Sequence, residues 1–174
     1  MKKRFARLPG KMRGKLREPY QSLSLKYALW GSISGAVAIL AIVLVSRMSG
    51  HPLLIGSFGA SAVLLFGASE SPLAQPRNLV GGHLVSATIA VTVVHLFGSG
   101  ALAISLAVGF SILLMYFTRT IHPPGGSTAF IGVQGHAGPY FIIDPVLSGA
   151  LILLLVALFT NNVVHHRQYP KHWL

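Results

Sequence analysis

"TIHPPGGSTAF", Thr120 to Phe130, lies between two long apolar runs of a 174-residue chain. Its paired prolines and paired glycines oppose any helix that tries to cross them. Hydrocarbon tolerates broken backbone only where protein or a water-filled cavity surrounds it. Around this break the chain is 52% hydrophobic and only 10% charged, against about a quarter charged in soluble domains. Mean hydropathy is +0.64. The apolar runs are continuous rather than alternating, which favours long helices over a barrel. The expected class is an all-α integral membrane protein in contact with the lipid bilayer.

The charges are unevenly spread. Nine of the fourteen Lys and Arg fall within the first 26 residues, and only Arg47, Glu70, Arg77, Arg119 and Asp144 lie between Tyr27 and Asn162. A net charge of +11 in a soluble protein would suggest nucleic acid. Ahead of a membrane span, a basic tail over 1–24 instead marks the cytoplasmic side and rests on anionic lipid headgroups, so no nucleic-acid partner is expected. Tail and span together are too long for a cleavable signal peptide. The chain has no cysteine, which removes disulfides, thiol catalysis and thiolate metal ligands.

A first span reads from Leu25 to about Met48, and a second from the residues after His51-Pro52 to near Glu70. After the turn-rich "SESPLAQPRN" (Ser69 to Asn78), a third covers about Leu79 to Phe97. Gly98-Ser99-Gly100 turns into a fourth over Ala101 to Phe117, and the last spans roughly Ile142 to Val164 before a polar, solvated tail over 165–174. The fifth segment, 123–136, makes about 21 Å of helix against a hydrocarbon core of about 30 Å, so it either crosses as a short helix or re-enters. Charge arbitrates. Crossing puts thirteen Lys and Arg inside against one outside; re-entry leaves eleven against three. The positive-inside rule therefore favours six spans with both termini cytoplasmic, in a bacterial inner (plasma) membrane.

"RMSGHPLLIGSFGAS" (Arg47 to Ser61) and "RTIHPPGGSTAF" (Arg119 to Phe130) share an order of features: Arg, then His-Pro, then glycine with small residues. Downstream, Gln75-Pro76 precedes "NLVGG" as Asp144-Pro145 precedes "VLSGA". The transmembrane domain, 25–164, thus divides into units over 25–97 and 101–164. Three spans per unit is odd, so the second enters from the opposite face as an inverted repeat, with short, broken second and fifth helices.

Proline displaces the residue before it from helical geometry and suits the first helical position. A new helix should therefore open at Pro123-Pro124, presenting the amides of Gly125, Gly126 and Ser127 with the hydroxyl of Thr128. Free amides at the positive end of a helix dipole suit an anion. His122 is expected as a proton partner and Arg119 as an electrostatic lure. Arg77, Asn78 and His83 would contribute from the other unit's cytoplasmic end, and Ser57 and Gly59 offer a weaker copy of the glycine-rich start. A packing kink is the bland alternative.

Acidic residues are scarce: Glu18 lies in the tail, and Glu70 and Asp144 at span ends. A cation carrier needs buried carboxylates, so a small anion or a neutral solute is favoured over a metal ion. No His pair has metal-binding spacing on a helix with a carboxylate partner, and no cofactor is expected. With no Gly-x-Ser-x-Gly elbow, Walker A loop or paired intramembrane carboxylates, the chain is not expected to be an enzyme. A non-conducting structural or sensory module and a channel for neutral solutes stay open as alternatives, as does assembly into a homo-oligomer.

"IHPPGGSTAF" together with "GSFGASAVLLFGASESPLAQPRNLVGGH" (Gly56 to His83) resembles the HPP family of integral membrane proteins, named for the motif standing here at His122-Pro123-Pro124. The likeness runs from the first span to Asn162. Family descriptions commonly count four spans, and some members, from plastids and cyanobacteria, are associated with nitrite transport. The resemblance thus implies transport, with nitrite compatible with a site of amides, hydroxyls and one cationic side chain.

Overall fold

A computed structural model describes residues 24–164 and 167–174. The basic tail lies outside them. Six α-helices follow in order among the described residues: α1 Leu25–Ser49, α2 Gly56–Ala62, α3 Pro76–Phe97, α4 Ala101–Phe117, α5 Pro123–Gln134 and α6 Ser148–Val163. Among the described residues there is no strand. Three stretches, Leu25–Ser49, Pro76–Phe97 and Pro139–Val163, are long and apolar enough to cross a membrane, while Gly56–Gly67 and Ala101–Phe117 are shorter apolar helices.

Helix α1 buries only Ser34, Ala38 and Ile42, one narrow stripe at four-residue spacing. Leu29, Ile33, Val37, Leu40 and Leu44 point away from the bundle, the pattern of a helix whose outer face meets lipid. Gly31 makes the close approach on the inner face. A Cβ there would sit 2.7 Å from the Phe66 carbonyl oxygen, so α1 can lie against the end of α2 only without a side chain at that point. Trp30 then reaches α6, donating its indole N–H to the Thr160 carbonyl at 2.9 Å.

Helix α2 runs on as a π-helical turn over Val63–Gly67. Carbonyls at a helix end need outside partners, and α6 with the C-terminal segment supplies them. Asn161 Nδ2 donates to the Leu65 carbonyl at 3.2 Å, and Arg167 Nη1 donates to that of Phe66 at 3.4 Å. Helices α2 and α5 lie side by side and antiparallel. Ser61 meets His122, Ser57 meets Thr128, and Gly56 faces Ile131. Two hydrophobic clusters flank this pair, one around Phe58, Phe66 and Leu153, the other around Ala90, Val93 and Val133.

Several boundaries move for local reasons. Helix α3 starts at Pro76, earlier than Leu79, because proline takes its first position. Helix α6 starts at Ser148 instead of Ile142, since Asp144 is extended (φ −132°, ψ 114°) and turns over Pro139–Ile142 and Ile143–Leu147 intervene. The last residues are not the solvated tail expected from their polarity. Tyr169 is buried, donates its hydroxyl to the Ala74 carbonyl at 2.8 Å, and bonds Asn162 through its backbone N–H. Lys171 donates its backbone N–H to Gln75 Oε1 at 2.8 Å and sets its ammonium 3.5 Å from Glu70. Residues 167–171 thus form a strap across the loop between α2 and α3, and burial there pushes the Tyr169 phenol above its ordinary range. Tyr169→Phe removes one buried hydroxyl bond and is expected to cost about 1 kcal/mol. Limited proteolysis of the 68–75 loop should quicken measurably in that variant.

Candidate functional site

The centre of the molecule is a chain of polar side chains with no exposure to solvent. Ser57, Ser61, His83, His122 and Thr128 are each 0% exposed. Buried polar groups in an apolar bundle are costly unless partnered, and here each has partners. Thr128 Oγ1 lies 2.9 Å from Ser57 Oγ and 2.7 Å from His83 Nδ1. His83 Nε2 is 2.8 Å from Ser61 Oγ, which is 2.9 Å from His122 Nε2. His122 Nδ1 closes the series on the Leu73 carbonyl at 2.9 Å.

Local sequence explains how these groups meet. Pro123 forces His122 into extended geometry (φ −138°, ψ 102°) as the residue capping α5. Ser57 and Ser61 are four residues apart on α2 and so share a face. The glycines bring α3 and α5 into close contact. A Cβ on Gly82 would stand 2.5 Å from His122 Cβ and 2.8 Å from the Thr120 carbonyl oxygen; one on Gly125 would stand 2.8 Å from Ser86 Oγ and 2.9 Å from the Gly82 carbonyl. With those side chains absent, the imidazoles of His83 and His122 come to 4.9 Å between centroids. Phe58 packs its edge on His83 at 5.3 Å, closing the other side.

Five of the residues singled out by sequence bear on this centre: His83, His122, Thr128 and Ser57 within the chain, and Gly125 beside it. Gly125 differs from expectation. Its amide is not free but donates to the His122 carbonyl at 2.8 Å, and its missing side chain serves helix packing. Gly126 has open space where a Cβ would go. Pro123, Pro124 and Ser127 line an apolar groove of about 530 Å³ with Ala60, Val63 and Leu64. Gly59 is exposed, away from the chain. Arg119 and Asn78 line a second hollow, of about 550 Å³, with Leu73, Tyr116 and Phe117. Asn78 Nδ2 donates to the Ile121 carbonyl at 2.8 Å, and Arg77 Nε is buried without a hydrogen-bond partner. Leu73 thus both lines this second hollow and holds His122 through its carbonyl.

Ser61 and the Leu73 carbonyl are the participants that sequence reasoning missed. Ser61 carried a usable signal, its four-residue spacing from Ser57. The Leu73 carbonyl carried none, because any backbone oxygen in the loop was equally eligible. At the other end of α2, His51 Nδ1 lies 3.4 Å from Asp144 Oδ2, which also accepts the Tyr140 hydroxyl at 3.0 Å. Among the described residues no cluster of three metal-binding side chains occurs.

The family model of the HPP transmembrane region matches residues 20–170. A transmembrane protein of Dictyostelium discoideum is 52% identical over 128 residues, covering 69% of this chain and 45% of the relative. Another from the same organism is 47% identical over 156 residues, covering 83% and 50% respectively. The chain spans about half the length of these curated relatives. Both come from Dictyostelium discoideum, and the expectation of a bacterial inner membrane gains nothing from them. No solved structure matches the chain.

Proposed function

The chain belongs to the HPP family of integral membrane proteins, and from that premise we propose that it carries a small monovalent anion across the membrane, with nitrite as the first solute to test. The carrying observation is the buried series Ser57–Thr128–His83–Ser61–His122. It gathers hydroxyls and imidazoles where hydrocarbon is expected, and it contains no carboxylate. Ionisable groups inside a membrane domain are costly and mark substrate or proton paths by default. Donors without carboxylates suit an anion better than a cation.

The reading takes six crossings, two inverted three-helix units and both termini on the cytoplasmic side, with the basic tail against anionic headgroups. Ser57 and Thr128 support the repeat. They are 71 residues apart, as are His51 and His122, so equivalent positions of the two units touch at 2.9 Å. Such self-contact is what a pseudo-twofold axis running between α2 and α5 produces. Each HP histidine also reaches the connection that leads into its counterpart unit's last helix: buried His122 hydrogen-bonds the Leu73 carbonyl, and exposed His51 lies 3.4 Å from the Asp144 carboxylate.

One observation favours a non-conducting module instead: every group of the series is already satisfied, and the Gly125 amide is engaged. Flux decides between the two. Proteoliposomes holding the full chain should take up nitrite above empty vesicles, with nitrate, formate and chloride measured beside it. Uptake of none of the four would leave the non-conducting reading standing.

A further inference from the structure

Helix α4 ends in a way that singles out Arg119. The Thr120 N–H donates to the Met115 carbonyl at 2.9 Å, and the Arg119 N–H to the Tyr116 carbonyl at 3.2 Å. Such paired bonds close a helix through one left-handed residue, where glycine is the usual choice. Here that residue is Arg119, with φ +56°. A side chain in this conformation is unfavourable, so the guanidinium is held at this point at a local cost.

Arg119 shares its hollow with Leu73, Asn78, Tyr116, Phe117 and Ile121. Tyr116 and Phe117 are 68% and 71% exposed, and Ile112 and Leu113 continue the exposed apolar face back along α4. Aromatic and cationic residues at the end of an apolar helix mark the boundary between hydrocarbon and headgroups. On the topology proposed above, that boundary belongs to the cytoplasmic leaflet, where anionic lipids gather. Among the described residues no carboxylate answers the Arg119 charge: Glu70 lies beside Lys171 and Asp144 beside His51. Asn78, itself buried, adds the opposite polarity. Its Nδ2 is committed to the Ile121 carbonyl, which fixes the amide's orientation and leaves Oδ1 as an acceptor with no donor among the described residues.

The hollow measures about 550 Å³, within the range of about 300–1,000 Å³ that holds a molecule of drug size. A small monovalent anion would leave most of it unfilled. Half of the wall is aromatic or aliphatic, which suits an amphiphile better than a free ion. We propose that this hollow takes the headgroup of an anionic phospholipid of the phosphatidylglycerol type. The phosphate lies on Arg119 in a charge-assisted contact, and a glycerol hydroxyl donates to Asn78 Oδ1. The acyl chains then follow the exposed face of α4 into the bilayer. Binding of this kind requires no transport.

The test uses the full chain in an uncharged detergent. Phosphatidylglycerol should raise the apparent melting temperature, and Arg119→Gln should raise the lipid concentration for half that effect roughly tenfold or more, as loss of a charge-assisted contact implies. Arg4→Gln removes the same charge from the basic tail and should move the half-point far less. Arg119→Gly separates binding from folding. Without lipid it should melt close to the unmodified protein, because relief of the left-handed conformation offsets a looser unfolded chain; the lipid response should nevertheless be lost. Equal shifts in Arg119→Gln and Arg4→Gln would mean diffuse attraction of charge and overturn the site. An equal response to phosphatidylcholine would remove the selection for charge. An equal response to dissolved glycerol 3-phosphate would make the hollow a site for a soluble ester. Either result also overturns the proposal.

Discussion

Gly82→Ala should be among the most damaging single-methyl changes in the protein. The added carbon would stand 2.8 Å from a backbone oxygen, that of Thr120, and 2.5 Å from His122 Cβ. Neither neighbour is the free end of a flexible side chain. The Thr120 carbonyl belongs to the turn leaving α4, and His122 is tethered to both Ser61 and Leu73. Relief therefore requires α5 to move away from α3, stretching the contacts that hold the imidazoles together. Overpacking of this kind costs about 1–3 kcal/mol. The expected readout is a fall of several degrees in the apparent melting temperature in detergent, together with loss of the proposed anion uptake. Gly126→Ala is the matched control, one turn into the same break. Open space waits for its Cβ, so stability should change by less than about 0.5 kcal/mol. Equal loss in the two variants would mean that the break is sensitive to any side chain, and the close α3–α5 approach would lose its special standing.

His83→Leu should give the second large effect. It preserves bulk but removes both imidazole nitrogens from between Ser61 and Thr128. Ser61 keeps His122 and Thr128 keeps Ser57 as partners, so the cost is that of two lost buried hydrogen bonds, about 0.5–1.5 kcal/mol each. His83→Gln separates the contributions, since an amide can keep one or both hydrogen bonds but cannot carry the proton. Gln is expected to recover much of the lost thermal stability while leaving the proposed anion uptake reduced by roughly tenfold or more. Recovery of both would show that His83 serves packing and hydrogen bonding alone.

The helices were legible because their signals are local. Continuous apolar runs bounded by glycine and proline placed α4 at Ala101–Phe117, where it is found. Where a boundary depended on a tertiary partner, legibility fell. The π turn at Val63–Gly67 is completed by Asn161 and Arg167, distant in sequence, and nothing in "VLLFG" announces it. The same division holds at the site. The HPP break, His122 and Thr128 stood out, yet the glycines invited the wrong emphasis. A Pro-Pro-Gly-Gly start is equally the signature of exposed amides and of two helices that must nearly touch; Gly125 takes the second role. His83 and His122 could not be paired from spacing, because what unites them is a serine on a third helix.

The strap over the α2–α3 loop makes Leu73 a tensioned point. Its neighbours Ala74 and Gln75 are fastened to Tyr169 and Lys171, while its own oxygen receives the proton of His122. Displacing residues 167–171 would therefore disturb the loop whose carbonyl holds His122, much as slack in a guy rope is felt at the mast. The fastening of residues 167–171 thus bears on His122 through one loop, with no contact between them needed.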